Sequence, residues 1–135
     1  MSSCLDSWAV LAWLDGDEPA ASAVQAVFDA ERPWMSWLNV GEVAYQVERR
    51  HGGPEAALIV RRLRAAAALD EVTQARVLAA ARLKANHPIA FADCFAAVTA
   101  AARGATLLTG DPELLERDVG CPTRDLRPPH RPNRG

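Results

Sequence analysis

The sequence predicts an α/β layer fold on a parallel sheet, and three observations carry that prediction. Short apolar strand candidates alternate with segments whose apolar residues recur at helical spacing. The chain has 135 residues, the size of one domain. Hydrophobic residues make up 50% and charged residues 24%, enough to fill one core and to exclude disorder of the whole chain.

The elements follow in order. Ser3-Cys4-Leu5 allows only a very short strand, followed by an apolar helix from Trp8 to Leu14. Asp15-Gly16-Asp17-Glu18-Pro19 breaks that helix and starts a second, with Val24, Val27 and Phe28 on one face. Trp34 to Leu38 reads as a buried strand. The next helix carries Val40, Val43, Ala44 and Val47 at i, i+3, i+4, i+7 and stops at Gly52-Gly53-Pro54. Pro54 suits the first turn of a further helix striped by Ala56, Ile59, Val60 and Leu63. Residues 66–72 fit either helix or a short strand ending near Val72. Thr73 caps a helix running to Ala85, which Asn86-His87-Pro88 ends. Another helix starts at Phe91 or Ala92 and closes at Gly104, before a short strand Ala105–Leu108. Asp111-Pro112-Glu113 has the cap, proline and acid of a short helix start. The segment after Asp118 lacks an apolar strand pattern, which leaves the last edge strand open. Residues 1–123 form the expected domain; residues 124–135, with four Arg, one Asp and three Pro, are expected to be a flexible basic tail.

Charge and cysteine content narrow the function. The net charge is −2, so no overall basic field marks a nucleic-acid binder, although the tail is basic and the body acidic. Cys4, Cys94 and Cys121 match no CxxC or zinc spacing, and three thiols cannot all pair within one chain. A reducing compartment is favoured, and with neither a signal-peptide pattern nor 18 consecutive apolar residues a cytoplasmic protein is expected, with no membrane role. The absence of a GxSxG elbow or phosphate-cradling glycine loop argues against hydrolase triads and nucleotide binding.

Four acids share one kind of position. Asp6 follows the first strand, Glu42 lies just inside the helix after the second, Asp93 opens a helix, and Asp111 follows the strand Ala105–Leu108. In a parallel sheet the strand-to-helix junctions share the carboxyl edge, where open α/β folds bind ligands. Converging carboxylates without His or Cys partners suit Mg²⁺ or Mn²⁺. Such ions neutralise a phosphodiester and activate water. Taken singly, Asp6 and Asp111 read more simply as helix caps. Glu42 and Asp93 stand in apolar runs, where a lone carboxylate is costly.

Four stretches, Cys4-Leu5-Asp6-Ser7 with Ala9 to Leu14, Leu38-Asn39-Val40-Gly41-Glu42-Val43, Ile89 to Ala97, and Ala105 to Pro112, carry a resemblance in their order and spacing. Together the sequence resembles the PIN-domain nucleases, and among them the VapC-type toxins of bacterial toxin–antitoxin pairs. The resemblance runs to about residue 118. It implies a three-layer α/β/α sandwich with a central, mostly parallel sheet, and a Mg²⁺- or Mn²⁺-dependent endoribonuclease. Asp6, Glu42, Asp93 and Asp111 would be its catalytic and metal-holding acids. Thr109 would orient a metal-bound water or the neighbouring acid. The same resemblance implies an RNA substrate, a homodimer and a cognate antitoxin with a segment lying over the acidic cleft, where an Arg would pair with the carboxylates. The apolar helices bearing Trp8, Trp13, Val24 and Phe28 offer a groove for its hydrophobic anchors. Two departures stand out: Trp8 occupies a position where the family often has a small hydroxyl residue, and Leu114 stands where an aromatic residue is common.

Other features add less. Trp34 and Trp37 read as core or near-core, and Trp8 as packing rather than as a base-stacking platform. Arg49-Arg50 and Arg61-Arg62-Arg64 read as a solvated face, and His51, His87 and His130 show no ligand spacing. Two other readings remain: a housekeeping PIN nuclease in RNA processing, and a catalytically silent interaction module whose acids only cap helices.

Overall fold

The computed structural model describes residues 2–129. Strand β1 (Ser3–Leu5) leads into helix α1 (Ser7–Asp15), which ends where Gly16 takes a left-handed φ of 70°. Only glycine adopts that conformation without cost, so the break expected at Gly16 has a backbone cause. Helix α2 (Ala20–Ala30) then returns the chain to β2 (Trp34–Ser36). This strand is shorter than the expected Trp34–Leu38. The Ser36 side chain accepts a hydrogen bond from the Leu38 N–H and so starts helix α3 (Trp37–His51) at once. Gly52 separates α3 from α4 (Gly53–Ala66), which has a proline in its first turn.

The ambiguous stretch resolves into β3 (Ala68–Asp70), and Thr73 caps α5 (Gln74–Asn86) as expected. Helix α6 (Phe91–Ala102) feeds β4 (Thr106–Thr109), and α7 (Pro112–Leu115) leads to β5 (Thr123–Asp125). The edge strand that the sequence left open therefore forms. All three of its side chains are exposed, so no apolar pattern announces it; backbone bonding makes it. Leu107 donates to Pro122 O and Leu126 donates to Thr109 O, each at 2.9 Å. Residues 124 and 125, expected in the tail, lie in this strand, and Leu126 is buried. The expected flexibility of residues 130–135 falls outside the described residues.

All four strand pairings are parallel, in the order β3-β2-β1-β4-β5. Alternation along the strands feeds two cores. Leu5, Met35 and Leu108 pack with α1 to α4 on one face, while Cys4 and Leu107 pack with α5 and α6 on the other. This is the three-layer α/β/α sandwich. Each fully buried Leu contributes roughly 1.5–3 kcal/mol of burial. The strand order reverses between β1 and β4, so the crevice at their carboxyl ends is the place such a sheet offers to a ligand. No helix among the described residues is long and apolar enough to cross a membrane.

Candidate metal centre

Asp6 directly follows β1 and caps α1: its Oδ1 accepts from the Ala9 N–H at 2.8 Å. Its Oδ2 accepts from the Thr109 hydroxyl, at the end of the neighbouring β4. Thr109 Oγ1 in turn accepts from the Asp111 N–H at 3.0 Å, and Asp111 caps α7 through a 2.9 Å bond from the Glu113 N–H. One hydroxyl thus ties two acids from opposite sides of the reversal point. Of the two roles expected for Thr109, the contact made here is the one with neighbouring acids.

Asp93 arrives from the opposite layer. It lies in the first turn of α6 but does not cap it, because Ala90 occupies the cap position and offers no side-chain bond. Its carboxylate reaches within 4.8 Å of that of Asp111. Glu42 is in the second turn of α3, further into its helix than the sequence suggested, and is half-buried rather than isolated. Asn39, one turn earlier, donates through Nδ2 to Glu42 Oε1 at 2.9 Å and to Ala92 O at 3.1 Å. Capping therefore explains Asp6 and Asp111 and leaves Asp93 and Glu42 without that explanation.

The electrostatics are strained. Asp6 is 1% exposed, and its carboxyl is pushed up to about 7. Burial is the largest cause; the bonds from Thr109 and Ala9 oppose it, and the charges of Asp111 and Glu42 add to it. Asp93 is raised too, first by burial, then by the Asp111 carboxyl beside it and by the charges of Asp6 and Glu42. The neighbours acting on these two aspartates include no cation among the described residues. The N-termini of α1, α6 and α7 face the cluster and favour negative charge there, but burial and mutual repulsion prevail.

This donor set fits a hard divalent cation. Carboxylate oxygens of Asp93, Asp111 and Glu113 all lie within 4.8 Å of one another. Asp6 and Glu42 stand outside that closest trio and act on it through charge. Asn39 Oδ1 is buried and has no partner among the described residues, an orphan acceptor within the same polar network. Its orientation is set, because both partners of Nδ2 are acceptors.

A family model for the PIN domain matches residues 3–119. The chain belongs to the PIN domain family. Solved structures agree on the fold. The chain is similar to DNA-bound VapBC from Salmonella typhimurium, at 17% identity and a TM-score of 0.74, over 94% of this chain and 100% of the other. It is also similar to VapBC2 from Rickettsia felis bound to a promoter DNA fragment, at 14% identity and 0.73, covering 93% and 98%. For VapC20 from Mycobacterium tuberculosis, a sarcin-ricin-loop-cleaving toxin, the values are 16% and 0.68, covering 82% and 90%. No curated protein sequence matches the chain significantly.

Glu113, which the sequence offers as a partial substitute for Asp111, joins the closest trio. Two further polar residues of this PIN domain escaped the sequence reading. Asn39 carries a readable signal, since an Asn three residues before Glu42 on one helix can reach it. Asp70 is also buried and acidic, but it is paired with arginines. Of the residues expected to offer a groove, Val24 is fully buried while Trp8, Trp13 and Phe28 are half-buried, with the Trp13 and Phe28 ring centroids 4.9 Å apart. A cavity of about 210 Å³ opens between α1, α3 and α4, lined by apolar residues such as Leu11 and Ile59 and by the charged Asp15, Arg50, Glu55 and Arg62. Arg62 and Arg64, read as solvated, lie over Trp13 and Trp37.

Proposed function

We propose that this PIN domain is a Mg²⁺- or Mn²⁺-dependent endoribonuclease, the toxin of a type II toxin–antitoxin pair. The observation that supports it best is a cluster of carboxylates raised by burial and by one another's charge, none of them in an ion pair among the described residues. Asp93, Asp111 and Glu113 would hold the ion, with Asp6 and Glu42 completing the negative field. A divalent cation supplies charge neutralisation of the phosphodiester and a lowered pKa for attacking water.

The chain's own groups set the stage for that chemistry. Thr109 and the Ala9 N–H hold Asp6 in one orientation, and Asn39 holds Glu42. Asp6 and Asp93, whose carboxyls are raised, must be ionised before the acids take up a cation, so metal affinity rises with pH. Likeness to the VapBC complexes supports a cognate antitoxin; its Arg would pair with the acids, and a second copy of the chain would form a homodimer.

Cleavage of defined RNAs with Mg²⁺, Mn²⁺ or EDTA tests the reading. Cutting is expected with metal and not with EDTA. Stability should rise by about 2.7 kcal/mol at a hundredfold excess of Mn²⁺ over its Kd. No cleavage and no shift in Tm with millimolar Mn²⁺ would overturn it.

A further inference from the structure

Gly110 is a glycine for want of space, not for backbone freedom. The glycines with left-handed φ are Gly16, Gly52, Gly104 and Gly120; Gly110 is not among them. A Cβ built on Gly110 would instead overlap Cζ2 and Cη2 of the Trp8 indole, and Cε2 as well. The benzo edge of Trp8 therefore lies against the Gly110 backbone. Trp8 is in the first turn of α1, half-buried against the core of that layer. Large rings in a packed core cannot swing aside cheaply.

The residues on either side of Gly110 are the ones that join the acids. Thr109 donates to Asp6, and the Asp111 N–H donates back to Thr109. Asp6 is itself fixed by α1, two residues before Trp8. The turn at residues 109–111 is thus held to α1 twice, by a hydrogen bond at Thr109 and by the indole at Gly110. We propose that Trp8 is a positioning residue: by bearing on Gly110 it sets where Asp111 stands relative to Asp6 and Asp93. A small hydroxyl residue at this position would leave that turn without its support.

The inference rests on the metal reading for its effect on affinity, and on geometry alone for the placement of the turn. The experiment compares wild type, Gly110→Ala, Trp8→Phe and the double variant. Mn²⁺ affinity is measured by calorimetry, and exchange of the Asp111 amide by NMR in EDTA. Phe keeps an aromatic plug in the core but lacks the benzo edge that reaches Gly110. Gly110→Ala is expected to weaken Mn²⁺ binding by about 10–100-fold, the scale for groups that orient metal ligands. It should also speed Asp111 exchange. In the Trp8→Phe background the same Ala should do little, because the ring it collides with is gone. Equal harm from Gly110→Ala in both backgrounds would overturn the proposal, as would a wild-type Asp111 amide in Gly110→Ala. If Gly110→Ala does not fold, folding of the double variant supports the contact, and its failure overturns it. If the wild type binds no Mn²⁺, the metal reading falls, and the amide-exchange cycle alone decides the role of Trp8.

Discussion

Asp70 ends β3 much as Asp6 follows β1, and both are almost fully buried, at 2% and 1% exposure. Their surroundings differ in sign. Asp70 receives Arg76 Nε at 2.9 Å and Arg103 Nε at 2.9 Å, with the Thr99 hydroxyl at 3.5 Å. Arg103 is itself stacked on Trp34 at 4.1 Å. Burial would raise the Asp70 carboxyl, but the bonds from Arg76 and Arg103 outweigh it and hold it below the usual range. Around Asp6 the further charges are Asp111 and Glu42, and its carboxyl goes up. A buried acid closed by guanidinium groups clamps α5 and α6 to the sheet. One left among other acids is destabilising until a cation arrives. The same residue type at the same edge is closed by guanidinium groups in one place and left among other acids in the other.

Neutralising each site in turn should break the comparison most visibly. Asp6→Asn and Asp93→Asn remove charge without removing bulk, and Asn keeps the cap at Asp6. Cleavage should fall by at least about 100-fold, the cost of losing one preorganised charge at a reacting centre. Metal-free stability should hold or increase, because repulsion is relieved. Asp70→Asn should do the reverse. It leaves two guanidinium groups without their acid and should cost about 3 kcal/mol, the low end for a broken buried pair. The Arg103 side chain is already 40% exposed and water can reach it. Turnover per folded molecule should stay near wild type. Urea melts and active-site-normalised cleavage rates read both effects; a loss of cleavage shared equally by all three variants would erase the distinction.

The two sites should also pull stability with pH in opposite directions. Asp6 titrates at about 7 in the folded chain and at an ordinary carboxylate value when unfolded. The folded state then holds the extra proton between those values, so this contribution is full below pH ~4 and is lost as pH rises towards 7. Asp93 adds in the same direction. Asp70, being lowered, stabilises above the unfolded value and loses its contribution as pH falls through its folded one. In EDTA the protein should be less stable at pH 8 than at pH 5, by about 3 kcal/mol from Asp6 alone. Asp6→Asn should flatten that slope. Equal stability at both values would show that the cluster carries no such strain.

Much of this arrangement was legible in the sequence, and the illegible parts share a cause. Strand-to-helix junctions at Asp6 and Asp111 follow from local caps and apolar runs, and parallel pairing then brings them to one edge. Asp70 has the same local signature as Asp6. What separates them is the pair Arg76 and Arg103, and Arg103 stands 33 residues away, a contact that no local pattern reports. Strand β5 was open for a related reason: its side chains are exposed, and it exists because the backbone of β4 needs partners. The contact between Trp8 and Gly110 likewise joins residues that only the folded sheet makes neighbours.

Glu113 offers the finest test, because it is exposed where Asp93 and Asp111 are not. Its oxygen lies with theirs inside the closest trio, but water screens its charge and its side chain must be ordered to bind. Glu113→Gln alone should weaken Mn²⁺ binding and cleavage only a few-fold. Asp111→Asn keeps the α7 cap, and with Glu113 still present its loss should be milder than that of Asp6→Asn or Asp93→Asn. Removing both charges takes away the substitute as well as the original. The double variant should therefore lose more than the product of the single losses, since two ligands that replace one another are not independent. A strictly multiplicative result, measured as Mn²⁺ affinity and as cleavage rate, would place Glu113 outside the centre and leave Asp6, Glu42, Asp93 and Asp111 as its acids.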